Sequence, residues 1–341
     1  MPIDLSLFPS RLPLPTHNSD EITPVISRPA HIPRTAPVAA PVTAQQLLIL
    51  AEALQSSRNT LVITGAGVST ESGIPDYRGV TGAYTTGFKP MTHQQFMASE
   101  LNRVRYWSRS FAGWQAFSSS RPNAAHEALA RLQARGWVGD IITQNVDRLH
   151  QAGGSHDSRV LELHGTTHVV RCMSCAHRGC RHAFQNLLAD RNDISTLSVD
   201  SSFQREVRDG REGALQVPLQ RPDGDMELML TNTFRVPACP ACSGILKPDV
   251  VFFGDSLPPE RTTRTLEMSH KCELIIAIGT SLMTRSSFRL IEAAKKSGAT
   301  FLVINCGTTR ADSLADSKLE VLAGEALMRL ACQPTFLVNR S

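Results

Sequence analysis

The chain has 341 residues, enough for one large domain or two modest ones, and its 41% hydrophobic and 19% charged content suits a soluble globular protein. With 35 basic and 31 acidic residues the formal charge is only +4, and the basic residues are scattered, which argues against a nucleic-acid partner. No apolar run reaches the ~18 residues of a membrane span, which argues against a membrane protein.

Residues 1–42 hold nine of the twenty prolines and show neither helical nor strand periodicity. They read as a leader outside the core. Three arginines and no lysine suit a transit peptide, whereas Asp4, Asp20, Glu21 and the prolines suit a plain disordered tail, and composition leaves both open. Leu47, Leu50, Ala51 and Leu54 share one helical face. A strand is predicted at about 60–64. Further apolar runs follow at 138–143, 249–254, 273–279 and 300–305, and helical patterns at 124–136 and 287–298 each end at a glycine. Strands alternating with helices predict an α/β fold, a doubly wound parallel sheet whose ligand edge lies at the strands' carboxyl ends. Residues 80–120 and 166–247 break this rhythm and read as insertions.

The first strand runs into Gly65-Ala66-Gly67, a turn that lets backbone approach a phosphate, with Ser69 and Thr70 as hydroxyl donors. The third glycine of a dinucleotide fingerprint is replaced by Thr70, and no carboxylate ends a second strand near position 85, so a hydride-transfer enzyme loses support. Tyr106 and Arg109 fall on one helical face, where an arginine near an acyl pocket would select acyl groups ending in a carboxylate. Gln144, Asn145 and Asp147 follow a buried strand and suit recognition of a ribose or carboxamide, although Asn145 or Asp147 also suits a helix cap. His164, in "LELHGT", has the chemistry of a general base and also of a satisfied core histidine.

Eight cysteines without a secretory segment favour a metal site over a disulfide framework. Cys172, Cys175, Cys239 and Cys242 form two C-x-x-C pairs whose four thiolates can close a tetrahedral zinc site. With all four positions filled by protein, such a zinc is structural. A redox pair is the other reading, but these pairs flank a polar insertion rather than a strand-to-helix junction.

Taken in order, "GAGVSTESGIPDYR", "TQNVDRLH", "LELHG", the paired C-x-x-C, "KPDVVFFGD", "GTSL" and "VINCG" resemble the sirtuins, the NAD-dependent protein lysine deacylases, over about residues 43–330. The stretches "GAYTTGFKP", "RYWSRSFAGW" and "QRPDGD" further resemble the class II, mitochondrial-type branch, including its plant members. The resemblance implies a catalytic domain at 43–335. Its Rossmann-type part would be formed by about 43–79, 121–165 and 248–330. A helical lobe at about 80–120 and a zinc lobe at about 166–247 complete it.

It also implies site residues. Gly65, Ala66, Gly67, Ser69, Asp76, Tyr77, Arg78 and Tyr84 would contact NAD. Gln144, Asn145, Val146 and Asp147 would hold the nicotinamide ribose and carboxamide. Gly279, Thr280, Ser281, Asn305, Cys306, Gly307 and Ala323 would hold the adenosine half. Phe252, Phe253 and Gly254 would pair edge-on with an acyl-lysine protein substrate, and Tyr106 with Arg109 resemble the Tyr-x-x-Arg of sirtuins that remove dicarboxylic acyl groups. NAD would be consumed rather than reduced. The nicotinamide leaves, the acyl oxygen takes its place on the ribose, and His164, assisted by Asn145, takes a proton from the ribose hydroxyls. Free lysine and O-acyl-ADP-ribose result. Mono-ADP-ribosyl transfer to protein, or a low-turnover NAD or acyl-lysine binding module, are the alternatives. Tyr77, where many relatives carry phenylalanine, and Cys306 depart from the common pattern without removing a catalytic group.

Overall fold

The computed structural model of the chain describes residues 39–79, 82–84, 89–192, 221–226 and 234–340. The expected leader, apart from 39–42, and parts of both insertions lie outside the described residues. Helix α1 (Ala44–Ser56) is capped by Thr43, which exchanges hydrogen bonds with Gln46, and it buries Leu47, Leu50, Ala51 and Leu54, the four positions that set its periodicity. It is followed by strand β1 (Thr60–Thr64) and a 3₁₀ turn, Ala66–Ser72. Next come α2 (His93–Ala98), α3 (Glu100–Ser118), α4 (Ala124–Ala134), β2 (Asp140–Thr143), α5 (Leu149–Ala152) and β3 (Val160–Glu162). Strands β4 (Gly165–Cys172) and β5 (Arg178–Cys180), helix α6 (Arg181–Arg191) and strand β6 (Leu246–Val250) lead to α7 (Pro259–Lys271), β7 (Leu274–Ile278) and α8 (Arg285–Lys296). Strands β8 (Thr300–Ile304) and β9 (Ser317–Leu319) and helix α9 (Ala323–Ala331) complete the order.

Six strands form an all-parallel sheet in the order β3-β2-β1-β7-β8-β9. Both faces are covered, so the strands read as unbroken apolar runs. Along β7, Leu274, Ile276 and Ile278 point to one core with α1, α4 and α9, while Ile275 and Ala277 point to the other with α7 and α8. Strand β8 divides the same way, Leu302 and Ile304 against Phe301 and Val303. This is the predicted doubly wound fold. The order reverses between β1 and β7, the place where such sheets open a crevice at their carboxyl ends.

The two helix-ending glycines also behave as read. Gly136 and Gly298 have φ of 80° and 88°. After each, the next residue's N–H reaches back into the helix, Trp137 to the Leu132 carbonyl at 2.9 Å and Ala299 to that of Ala294 at 3.1 Å. That is a Schellman closure, which needs the left-handed backbone glycine adopts freely.

One expected strand is corrected. The run 249–254 does not join the parallel sheet. Asp249 and Val250 end β6, which pairs antiparallel with β4 in a separate three-stranded sheet ordered β5-β4-β6. The rest of the run leaves the strand, and Lys247 and Pro248 inside β6 belong to it instead. The short strands β3 and β9 had no sequence signal, each being three residues long. A third core holds this small lobe together, combining Phe96, Tyr106, Trp107 and Phe184 with Cys172, Cys239 and Phe252.

Two histidines lie in the core. His126 and His150 are 0% and 1% exposed, their rings 4.9 Å apart. His150 Nε2 meets the Thr64 hydroxyl at 2.8 Å, while His150 Nδ1 and His126 Nε2 have no partner among the described residues. Burial pushes His126 down to about 4 and His150 well below its ordinary value. Both fold neutral, so their stabilisation is complete above pH 6.5 and is lost as pH falls from 6.5 toward 4, where the unfolded chain takes up the protons. Denaturant titrations should show about 3 kcal/mol lost over that interval on account of His126 alone. A flat profile there would contradict the burial argument.

Candidate active site

The crevice at the sheet's reversal is a cavity of about 830 Å³. This lies within the size range of small-molecule sites. Every non-metal residue singled out above lines it except Thr70 and Ala323, the latter opening α9 and packing against the first core. Residues 65–67 and 144–147, after β1 and β2, and 279–281 and 305–308, after β7 and β8, form the sheet side of its wall. His164, residues 250–255 and the α3 pair Tyr106 and Arg109 also line it.

The glycine turn, which lines the cavity, also packs against the turn after β7. A Cβ on Gly65 would lie 2.7 Å from the Thr280 Cβ, and one on Gly67 would lie 2.7 Å from the Gly279 carbonyl oxygen. The Gly67 N–H donates to that same carbonyl at 2.8 Å. These glycines therefore let the turns after β1 and β7 touch. Gly67→Ala should destabilise the fold by about 1–3 kcal/mol, as overpacking does. Thermal unfolding of the purified variant checks this, and an unchanged midpoint would refute the contact.

The expected hydroxyl donors are also engaged elsewhere. Ser69 is buried, and its hydroxyl donates to Asp147 Oδ2 at 2.7 Å. Thr70 donates to the Gly67 carbonyl at 2.9 Å and does not line the cavity. Asn145 Nδ2 donates to the Gly65 carbonyl at 3.1 Å and to Ser69 Oγ at 3.0 Å. Asp147 Oδ1 accepts the Leu149 N–H at 3.0 Å, a local turn bond at the start of α5, whose N-cap is Arg148 and not Asp147. Desolvation raises the Asp147 carboxyl above its ordinary value. Gln144 is held by the hydroxyls of Thr280 at 2.8 Å and Thr284 at 3.3 Å. Further out, Asp76 Oδ1 accepts the Gly79 N–H at 2.8 Å, and the Arg78 guanidinium stacks over Tyr84 at 4.9 Å.

His164 sits in the link between β3 and β4. Its Nδ1 lies 3.1 Å from the Gln144 carbonyl oxygen and its Nε2 lies 2.9 Å from the Ser286 hydroxyl. A carbonyl only accepts, so the proton is assigned to Nδ1 and the lone pair to Nε2. Burial pushes its pKa down to about 4, against the opposing pull of the Gln144 bond. The ring is a neutral proton acceptor at physiological pH. Ser286 was missed from sequence. It stands at the start of α8, five residues past Ser281, and only the fold brings it to the imidazole.

The segment expected to receive a substrate strand is partly occupied. The carbonyls of Phe252, Phe253 and Gly254 accept from the Asp255 N–H, the His93 N–H and Gln94 Nε2. An incoming strand must share or exchange these bonds. Phe253 is 42% exposed at the rim, whereas Phe252 is buried against Phe96 and Tyr106.

Away from the cavity, the Sγ atoms of Cys172, Cys175, Cys239 and Cys242 all lie within 4.8 Å of one another. Cys172 and Cys242 are 3.5 Å apart and Cys175 and Cys239 are 3.7 Å apart. Tetrahedral zinc with bonds of about 2.3 Å requires edges of about 3.8 Å, so the set fits zinc. The Ser174 N–H donates to Cys172 Sγ at 3.3 Å, as outer partners of metal thiolates do. A Cβ on Gly244 would lie 2.9 Å from Cys172 Sγ, so the bare glycine backbone makes room for the cluster. No open ligand position remains, which makes the site structural.

Comparison with known proteins gives this arrangement its context. The profile of the Sir2 family matches residues 65–286. The chain is 45% identical to the NAD-dependent protein deacylase SRT2 of Arabidopsis thaliana over 279 residues, 81% of this chain and 73% of that protein. It is 40% identical to the NAD-dependent protein deacylase Sirt4 of Drosophila melanogaster, over 85% of this chain and 88% of that one. A solved Sir2 complex with a p53 peptide and NAD⁺ superposes with a TM-score of 0.60 at 26% identity, covering 83% of this chain and 96% of that one. A glycine turn at the sheet's reversal, a half-buried neutral histidine on the same cavity and a four-cysteine cluster in the small lobe thus sit within a match running most of the chain's length, and the chain belongs to the Sir2 family.

Proposed function

We propose that this protein is an NAD-dependent protein lysine deacylase, which removes an acyl group from a lysine side chain and consumes NAD, yielding nicotinamide and O-acyl-ADP-ribose. The observation that carries the proposal is His164. It is a neutral imidazole with its lone pair at Nε2, on the same cavity as the glycine turn and the α3 pair. Family membership and relatives that are themselves deacylases support it.

Bound NAD supplies a sugar–nicotinamide bond whose breakage makes the ribose carbon electrophilic. The chain's residues do the rest. His164 Nε2 exchanges the Ser286 hydroxyl for a ribose hydroxyl and accepts its proton, while the Gln144 carbonyl holds Nδ1–H and the ring's orientation. Asn145, fixed through its amide nitrogen, turns its carbonyl oxygen to a ribose hydroxyl or a water. Asp147 and Ser69 brace that amide from behind. The residues after β7 and β8, through Gly279 to Ser281 and Asn305 to Gly307, take the adenosine half. Phe253 and Gly254 present the rim to the peptide, in the manner of an added strand.

We place the chain in the class II branch, with a catalytic domain at 43–335 and a mitochondrial address. The stretches "GAYTTGFKP", "RYWSRSFAGW" and "QRPDGD", and the arginine-bearing leader, support this. A fluorescent fusion of residues 1–42 should enter mitochondria, and a cytosolic signal would rule the address out.

The activity is tested by counting products. Each deacylated lysine should appear with one released nicotinamide, and none should appear without NAD. NAD breakdown that leaves ADP-ribose on a protein side chain would replace this reading by mono-ADP-ribosyl transfer.

A further inference from the structure

The acyl end of the cavity carries chemistry that a lone arginine does not describe. Tyr106, Arg109, Asp223 and Asp225 all line it. The turn bearing the two aspartates is pinned to α3: the Met226 N–H donates to the Arg109 carbonyl, and Arg109 Nε donates to the Met226 carbonyl, both at 3.2 Å. The Asp225 N–H donates to Asp223 Oδ1 at 3.3 Å, and the Arg221 N–H to the Asp225 carbonyl at 2.7 Å. Burial raises both carboxyls above their ordinary range, the Asp223 charge raises Asp225 further, and the guanidinium charges of Arg109 and Arg221 oppose this at both.

Two polar atoms at this wall are without a hydrogen-bond partner among the described residues. Asp225 is 5% exposed, and its Oδ1 accepts no hydrogen bond among the described residues. Tyr106 is 4% exposed and held by Phe96, Trp107 and Phe252, and its hydroxyl makes no hydrogen bond among the described residues. The wall therefore offers an unused acceptor beside an unused donor. A carboxylate-ended acyl chain only accepts, so it would set a second acceptor against Asp225 Oδ1. A plain alkyl chain would leave both polar groups unpaired and dry. A hydroxyl both donates and accepts.

We infer that the acyl pocket selects acyl groups bearing a hydroxyl, whose O–H donates to Asp225 and whose oxygen accepts from Tyr106. This rests on the deacylase reading and changes the role first given to Arg109, which becomes the counter-charge of the two aspartates.

The test uses the full chain, NAD and one peptide sequence carrying 3-hydroxybutyryl, butyryl or glutaryl lysine. The kcat/KM for 3-hydroxybutyryl should exceed each of the others by about tenfold, the scale of one hydrogen bond to a charged group. In Asp225→Asn and in Tyr106→Phe the ratio of 3-hydroxybutyryl to butyryl should fall by about the same factor. Glutaryl as the best substrate, or a ratio unchanged in both variants, would overturn the inference. Absence of turnover on all three peptides would count against the deacylase reading instead. Peptide Kd values from calorimetry then decide the pocket: the hydroxylated peptide binding tightest upholds the inference, and any other order overturns it.

Discussion

Replacing His164 by alanine should lower kcat/KM for deacylation by about 10²–10⁴-fold, the span a positioned general base contributes. The fold should tolerate the change, because the ring makes two polar bonds at the cavity wall and belongs to none of the hydrophobic cores. A thermal midpoint close to wild type therefore separates lost chemistry from lost structure. Its environment adds a second readout. Burial holds the imidazole near 4. Since the base works deprotonated, activity should persist as pH falls through 6.5 and decline only as it approaches 4–5. A limb centred at 6.5 would mean that the acting group is solvated. Full turnover in the variant would mean that another residue is the base.

The second large effect concerns the four-cysteine cluster. Cys239→Ser should abolish the one zinc per chain expected by elemental analysis and remove several kcal/mol of stability. The thermal midpoint should drop on the order of 10 °C. The reason lies in the packing. Cys172 and Cys239 share a core with Trp107, Tyr106 and Phe252, so the metal that ties β4 to the segment before β6 also fixes one wall of the acyl pocket. Cys332→Ser, an exposed position outside the cluster, should keep both the metal and the midpoint. Retention of stoichiometric zinc by Cys239→Ser would show that the four thiols do not act as one site.

The parallel sheet was legible because each of its long strands is buried on both faces, which leaves runs such as Leu274–Ile278 with no polar interruption. Helix ends were legible because Gly136 and Gly298 meet a backbone requirement that other residues meet poorly. The two cysteine pairs were legible from spacing and thiol chemistry. What stayed hidden depends on distant contacts. The run 249–254 looks like a core strand, but its partner β4 is defined by pairing that periodicity does not encode. Gly65 and Gly67 were read as room for a phosphate, and their second use, letting Gly279 and Thr280 approach from more than 200 positions on, has no local signal. Ser286 reaches His164 across 122 positions with no motif of its own. Asp223 and Asp225 sit in a polar stretch where two acids look like solvated surface, until the turn is fastened to α3.

The account stands on the cofactor being broken in this cavity, and mass spectrometry of what becomes of NAD tests that most directly. After incubation with an acyl-lysine peptide, the predicted result is free nicotinamide together with ADP-ribose heavier by one acyl group, in amounts equal to the lysine released. Deacylated peptide beside intact or reduced NAD would contradict it.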